Sequence, residues 1–151
     1  MSEAAIQRDP VENAAREKSL LVLIPCLNED KTIASVISQI PAAIEGVERI
    51  DIAVVDDGST DDTAKIARES GATVLSHGRN LGVGAALRTG LRHARIHGYD
   101  FVVNIDGDGQ FDPSHIPEIL APVVNGDADL ATASRFADPS LVPDMPAIKK
   151  W

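Results

Sequence analysis

Five consecutive apolar residues, Leu20-Leu21-Val22-Leu23-Ile24, place the tightest limit on what this chain can become. Side chains on a strand alternate between its two faces, so a run with no polar alternation belongs to a strand buried on both. Such a strand needs a layer of helices on each side of its sheet, which is the condition of a parallel α/β domain. Pro25 marks the end of the run.

The rest of the chain repeats the theme. Asn28 or Asp30 can cap a helix in which Ile33, Val36, Ile37 and Ile40 recur at helical spacing, with Pro41 closing it. A second strand runs from Ile50 to Val55. Asp61 or Asp62 can cap the following helix, which carries Ala64, Ile66 and Ala67 and ends at Gly71. Ala72 to Leu75 reads as a short third strand. Residues 85–97 then show helical spacing, with Leu87, Leu91 and Ala94 on one face. Phe101 to Ile105 is the fourth strand and delivers Asp106. Pro113 opens a further helix as its first residue, and Pro122 predicts a kink or an early end in it. Asp129 to Ser134 completes the set as a fifth strand. Strands and helices alternating with short links predict a three-layer, Rossmann-like, mostly parallel α/β sheet.

The 151 residues suit one domain, and 44% apolar content supplies a core without disulfides. Cys26 is the single cysteine, which reads as a small core residue and fits a reducing compartment. A formal charge of −9 excludes a general nucleic-acid binder, yet leaves room for a phosphate-bearing ligand whose local sign a cation reverses. No transmembrane segment is expected in this chain, because no apolar run approaches the roughly 18 residues that span a bilayer. Residues 1–18 lack a signal-peptide pattern and read as a flexible tail.

Three polar clusters stand directly after strands: Pro25-Cys26-Leu27-Asn28-Glu29, Asp56-Asp57-Gly58-Ser59 and Asp106-Gly107-Asp108-Gly109-Gln110. Open α/β sheets bind ligands outside the carboxyl ends of their strands, so these clusters can converge on one crevice. Asp106, Asp108 and the amide oxygen of Gln110 make a hard, all-oxygen set suited to Mg²⁺ or Mn²⁺. Aspartate and glycine also favour plain solvated turns, and the cluster gains functional weight from its two companions. Asp56 or Asp57 can accept hydrogen bonds from a base or a ribose. Asn80-Leu81-Gly82-Val83-Gly84 opens a helix, and helix N-termini attract anions. Leu87 stands where a dinucleotide fingerprint needs its third glycine, so that motif is rejected. Close approach of the Gly84 backbone to a ligand or a loop competes with a flexible turn. Arg135, after the fifth strand, can clamp phosphate, with a surface ion pair as the alternative. His77, His93, His97 and His115 show no metal-type spacing, and Arg88, Arg92 and Arg95 read as the solvated face of their helix.

Taken in order with Ser134-Arg135-Phe136, these clusters resemble family 2 glycosyltransferases. The similarity is greatest to the dolichol-phosphate mannosyltransferase-like branch and its bacterial polyprenyl-phosphate relatives. It covers residues 20–136. The resemblance implies a glycosyltransferase-A fold and a nucleotide-diphosphate sugar donor, GDP-mannose or a UDP-sugar. It implies that Asp106, Asp108 and Gln110 hold the metal and diphosphate. It also implies that Pro25, Leu27, Glu29 and Asp57 line the nucleoside pocket, although Leu27 replaces a frequent tyrosine. Arg135 matches an arginine near donor or acceptor phosphates. The resemblance further implies an inverting transfer to a polyprenyl phosphate, whose anionic oxygen needs no general base. On this reading residues 19–136 form the nucleotide-sugar-binding domain and 137–151 begin a truncated acceptor-side segment. A cytoplasmic location, at the inner face of the membrane if the acceptor is a lipid, and self-association through uncovered apolar surface are the accompanying expectations.

Three rival readings fit parts of the same loops. A haloacid-dehalogenase-like phosphatase would use Asp106 as nucleophile and Asp108 as acid/base, but Gln110 replaces its Thr or Ser and the loop follows the wrong strand. An EF-hand loop starting at Asp106 puts Phe111 where glycine is required and Pro117 where glutamate should be. A non-catalytic nucleotide-binding module stays open.

Overall fold

The computed structural model describes residues 17–133. Four strands, β1 (Ser19–Cys26), β2 (Arg49–Asp56), β3 (Thr73–Ser76) and β4 (Phe101–Asn104), form one sheet in the order β3-β2-β1-β4. Every pairing is parallel, so all four strands deliver their carboxyl ends to the same edge. The helices are α1 (Ile33–Ser38), α2 (Thr63–Glu69), α3 (Val83–His97) and α4 (Ile116–Val124).

The apolar run became the central strand. Leu20 to Ile24 are all at or below 1% exposed. Leu20, Val22 and Ile24 face a core built with Ile33, Val36, Ile37, Ala67, Ile116 and Leu120 from α1, α2 and α4. Leu21 and Leu23 face the opposite layer, where α3 contributes Ala86 and Ala94. Burial of each such side chain contributes roughly 1.5–3 kcal/mol. The expected three-layer, parallel α/β architecture is therefore present.

Several local expectations need correction. Pro25 does not end the first strand. β4 pairs only as far as Leu23, so the missing N–H of Pro25 costs the sheet no ladder bond, while the β2 side continues through Pro25 and Cys26. Neither Asn28 nor Asp30 caps α1, whose N-cap residue is Thr32 and whose first amides bond to the Glu29 carbonyl. The face of α3 that meets the sheet is Ala86, Gly90 and Ala94; Leu91 is 47% exposed. The reason is close approach: a Cβ on Gly90 would lie 2.1 Å from Leu23 Cδ1, so only the smallest residues fit. Pro113 begins a 3-10 turn capped by the Asp112 carboxylate, and α4 follows it. That helix stops two residues after Pro122, whose carbonyl accepts the Asp127 and Ala128 amides. Residues 129–133 of the expected fifth strand are irregular, and Ser134 lies outside the described residues. Among the described residues no helix is long and apolar enough to cross a membrane.

Candidate functional site

The loops after β1 and β2 are sewn together. Ser59 Oγ accepts the Asn28 amide at 2.9 Å, and Asn28 Oδ1 accepts the Thr60 amide at 2.8 Å. Thr63 Oγ1 accepts the Glu29 amide at 2.7 Å, and Asp61 accepts both the Asp30 and Thr63 amides. Asn28 adopts φ +57°, a left-handed conformation that asparagine tolerates. Its amide and its side-chain oxygen are thus spent across the loops and not on a helix. Asp61 does serve the start of α2 as expected, while Asp62, the N-cap residue, makes no side-chain cap bond.

Asp56 and Asp57 are both buried, at 5% and 4% exposed. Asp56 Oδ1 accepts the Ser59 amide. Asp57 points to the loop before α3: Oδ1 accepts the Leu81 amide at 3.0 Å and meets His77 Nδ1 at 2.7 Å, and Oδ2 accepts the Gly82 amide at 2.8 Å. Burial alone would raise the Asp57 pKa, but these hydrogen bonds and the His77 ring hold it below the usual carboxylate value. Close packing of this loop falls at Gly58, not Gly84. A Cβ on Gly58 would lie 2.4 Å from the Arg79 carbonyl carbon, whereas one on Gly84 would meet nothing within 4 Å. Gly84 instead borders an open groove along α3 with Leu87, Arg88, Leu91, Arg92 and Arg95.

The loop after β4 is different. Asp106 is exposed, and no hydrogen bond reaches its carboxylate among the described residues. Gly107 is buried against β1, where an added Cβ would lie 2.5 Å from Cys26 Sγ, and its carbonyl accepts Thr32 Oγ1 at 2.7 Å. Asp108 Oδ1 accepts the Gln110 amide at 2.9 Å. Asp108 and Gln110 also border a polar cavity of about 410 Å³ shared with Lys31, Ser35 and Gln39 near α1. The Cys26 thiol under this loop reports the surroundings. Its pKa is pushed up to about 12, first by burial and then by the charges of Glu29, Asp56, Asp106 and Asp61. Carboxylates from all three loops therefore act on the one buried thiol at the end of β1.

Among the described residues no group of three or more His, Cys, Asp or Glu side chains is placed to hold a metal ion alone. Asp106 and the second oxygen of Asp108 provide an all-oxygen, doubly anionic set of the kind that suits Mg²⁺ or Mn²⁺ when a ligand's phosphates complete the shell. The residues present fit such an ion. Pro25 lies near the end of the pairing of β1 with β2, and Leu27 follows the strand, 38% exposed. Arg135 lies outside the described residues. The sequence reading missed Thr32, His77 and Thr63, whose roles depend on partners 20 or more residues away and leave no local pattern.

A parallel sheet with acidic loops at its carboxyl edge, where open α/β sheets take their ligands, defines an α/β domain of the nucleotide-binding kind. The sequence profile of glycosyl transferase family 2 matches residues 21–148, and the chain belongs to that family. A UDP-N-acetylglucosamine–dolichyl-phosphate N-acetylglucosaminyltransferase of Methanococcus voltae is 31% identical, the match covering 89% of this chain and 59% of that protein. A low-salt glycan biosynthesis hexosyltransferase of Haloferax volcanii is 36% identical over 86% of this chain and 30% of its own. Glucosyl-3-phosphoglycerate synthase from Mycobacterium tuberculosis, solved with Mn²⁺, UDP and glucosyl-3-phosphoglycerate, superimposes with a TM-score of 0.56 at 33% identity, covering 71% of this chain and 40% of that one. The chain spans about half the length of the curated relatives it matches.

Proposed function

We propose that this chain supplies the donor side of a metal-dependent, inverting glycosyltransferase that moves a sugar from a nucleotide-diphosphate sugar to a phosphate-bearing acceptor. The observation that carries the reading is the exposed Asp106 carboxylate, unpaired among the described residues, two residues from Asp108 on the loop after the β4 carboxyl end. Two carboxylates on one loop of a protein of net charge −9 suit a cation. A divalent ion bound there would offset the charge that develops on the departing nucleoside diphosphate.

In this reading Asp106, Asp108 and the Gln110 amide oxygen hold the ion and diphosphate. Pro25, Leu27, Glu29 and Asp56 line the nucleoside pocket. Asp57 keeps one of its roughly four acceptor positions for the nucleoside, since three are taken by the protein. Gly84 borders the separate groove along α3 and has no part in this reading, and Arg135 meets a phosphate of donor or acceptor. UDP in the mycobacterial synthase favours a uridine donor. The dolichyl-phosphate named for the archaeal relative favours a polyprenyl phosphate acceptor, which would place the reaction at the cytoplasmic face of a membrane.

Titration of the chain with UDP and with GDP, each in Mn²⁺ and in EDTA, tests the donor half. Binding that survives EDTA undiminished would overturn it. Because the chain spans about half of its relatives, a second reading holds that it binds donor without transferring sugar. Positioning of both reactants supplies up to roughly 7–11 kcal/mol of barrier reduction, so half a site would bind and hardly turn over. Radiolabelled sugar transfer to a polyprenyl phosphate separates the two readings.

A further inference from the structure

We infer that His77 is a positioning residue for the donor site, acting through Asp57 to fix both that carboxylate and the loop that opens α3. The inference rests on the donor-site reading above. His77 follows β3, and its backbone amide bonds to the Asp56 carbonyl at 2.8 Å. Its side chain is 11% exposed. The ring is held at both ends: Nδ1 meets Asp57 Oδ1 at 2.7 Å, and Nε2 meets Thr89 Oγ1 on α3 at 2.9 Å.

The proton positions follow from the chemistry. An ionised carboxylate only accepts, so Nδ1 carries a hydrogen and donates to Asp57. The neutral ring then accepts the Thr89 hydroxyl hydrogen at Nε2. A charged ring would donate there, and the same hydroxyl would turn to accept. The link therefore persists in either state.

The consequence lies in Asp57. With His77 and the Leu81 amide on Oδ1, that oxygen has no acceptor position left, and Oδ2 keeps one beside the Gly82 amide. The His77 ring thereby decides which way the last free position faces. Gly82, at φ +93°, is the N-cap residue of α3, so the carboxylate also sets where that helix begins. His77 thus ties β3, the β2 loop and α3 together at the crevice without needing to touch a ligand.

The test uses the 151-residue chain, with UDP and Mn²⁺ as the probe, calorimetric titration for affinity and thermal melts for stability. His77→Leu fills the space and removes both hydrogen bonds. It is expected to weaken UDP by about tenfold, equivalent to about 1.4 kcal/mol, the size of one supporting hydrogen bond. His77→Asn keeps a donor near the Nδ1 position and is expected to recover most of the affinity. A purely structural histidine would let affinity follow melting temperature and give no such selective rescue. Thr89→Val cuts only the distal link, is expected to weaken UDP by about threefold, and serves if His77→Leu fails to fold. Equal UDP affinity in wild type and folded His77→Leu, or in wild type and Thr89→Val, would overturn the inference. So would an Asn variant as weak as the Leu variant at equal stability. A wild-type chain that binds neither UDP nor GDP in Mn²⁺ would instead sink the donor-site reading, and this inference with it.

Discussion

Two aspartate pairs end two parallel strands of this protein, and they have opposite fates. Asp56 and Asp57 close β2, are buried, and spend their oxygens on the protein's own amides and on His77. Asp106 and Asp108 follow β4. They leave one carboxylate wholly unpaired among the described residues and the other with a single amide. The spacing explains part of the difference. Adjacent aspartates at a strand end point to different sides, and here each side is covered by protein that supplies donors. The pair separated by Gly107 lets its buried glycine take the inward position, so both carboxylates can stay at the surface. Similar residue types thus build a scaffold in one loop and an open, charged edge in the other.

The largest effect that separates the loops should come from Asp57→Ala. It strips the Leu81 amide and the His77 ring of this acceptor and leaves the Gly82 amide only Asn80 Oδ1, and donors left unpaired cost about 1–3 kcal/mol each. A loss of about 3–5 kcal/mol in urea unfolding is expected on that basis. A loss under about 1 kcal/mol would mean that Asp57 is no scaffold.

Asp106→Asn should do the reverse. Unfolding should change by less than about 0.5 kcal/mol, as for exposed positions in general. Mn²⁺-dependent UDP affinity should fall about 100-fold, the upper range seen for residues that merely support a metal ligand. Calorimetry with and without Mn²⁺ reads this, and an unchanged affinity would remove Asp106 from the site.

Next in size is the seat of the acidic loop itself. Gly107→Ala forces a methyl to 2.5 Å from Cys26 Sγ and should cost about 1–3 kcal/mol. Adding Cys26→Ala removes the opposing sulfur, so the double variant should be more stable than the sum of the two single losses predicts. Strict additivity in the unfolding cycle would show that the contact carries no strain.

The smallest effect is acid sensitivity. The folded Asp57 pKa lies below its unfolded value of about 3.9. Its stabilising contribution is therefore complete above that value and is lost as pH falls through the lower folded pKa. Stability should hold down to about pH 4 and decline below it, with Asp57→Asn flattening that decline. A variant that keeps the same acid slope would assign it elsewhere.

What the sequence disclosed was whatever a strand or a motif states within a few residues. The apolar β1 run named a doubly covered strand, and the three clusters named the edge where a ligand binds. What stayed hidden depended on distance or on smallness. A histidine such as His77 carries no signal until the chain brings Asp57 and Thr89 to it. Asn28 looks like any helix cap, because its partners Ser59 and Thr60 lie about thirty residues on. On the inner face of α3, Leu87 and Ala94 pack as the spacing predicts but Leu91 is exposed, because Gly90 pressed on Leu23 and the buried Ala86 hold the closest approach, and small residues carry little apolar signal.

The central position of β1 bears on how the chain folds. Leu21 pairs with Asp51 on one side and with Val102 on the other. A strand made early thus waits for a neighbour made ~80 residues later, and such distant pairings slow folding. At a synthesis rate of about 5–20 residues per second, that delay is roughly 4–16 seconds. During it, one side of the five-residue apolar segment has no strand to pair with. The nascent protein is expected to be most prone to wrong association, and to rely most on chaperones, in this interval. Pulse-labelling of ribosome-bound chains stalled before and after Phe101 would show whether protection of Leu20 to Ile24 arrives only with β4.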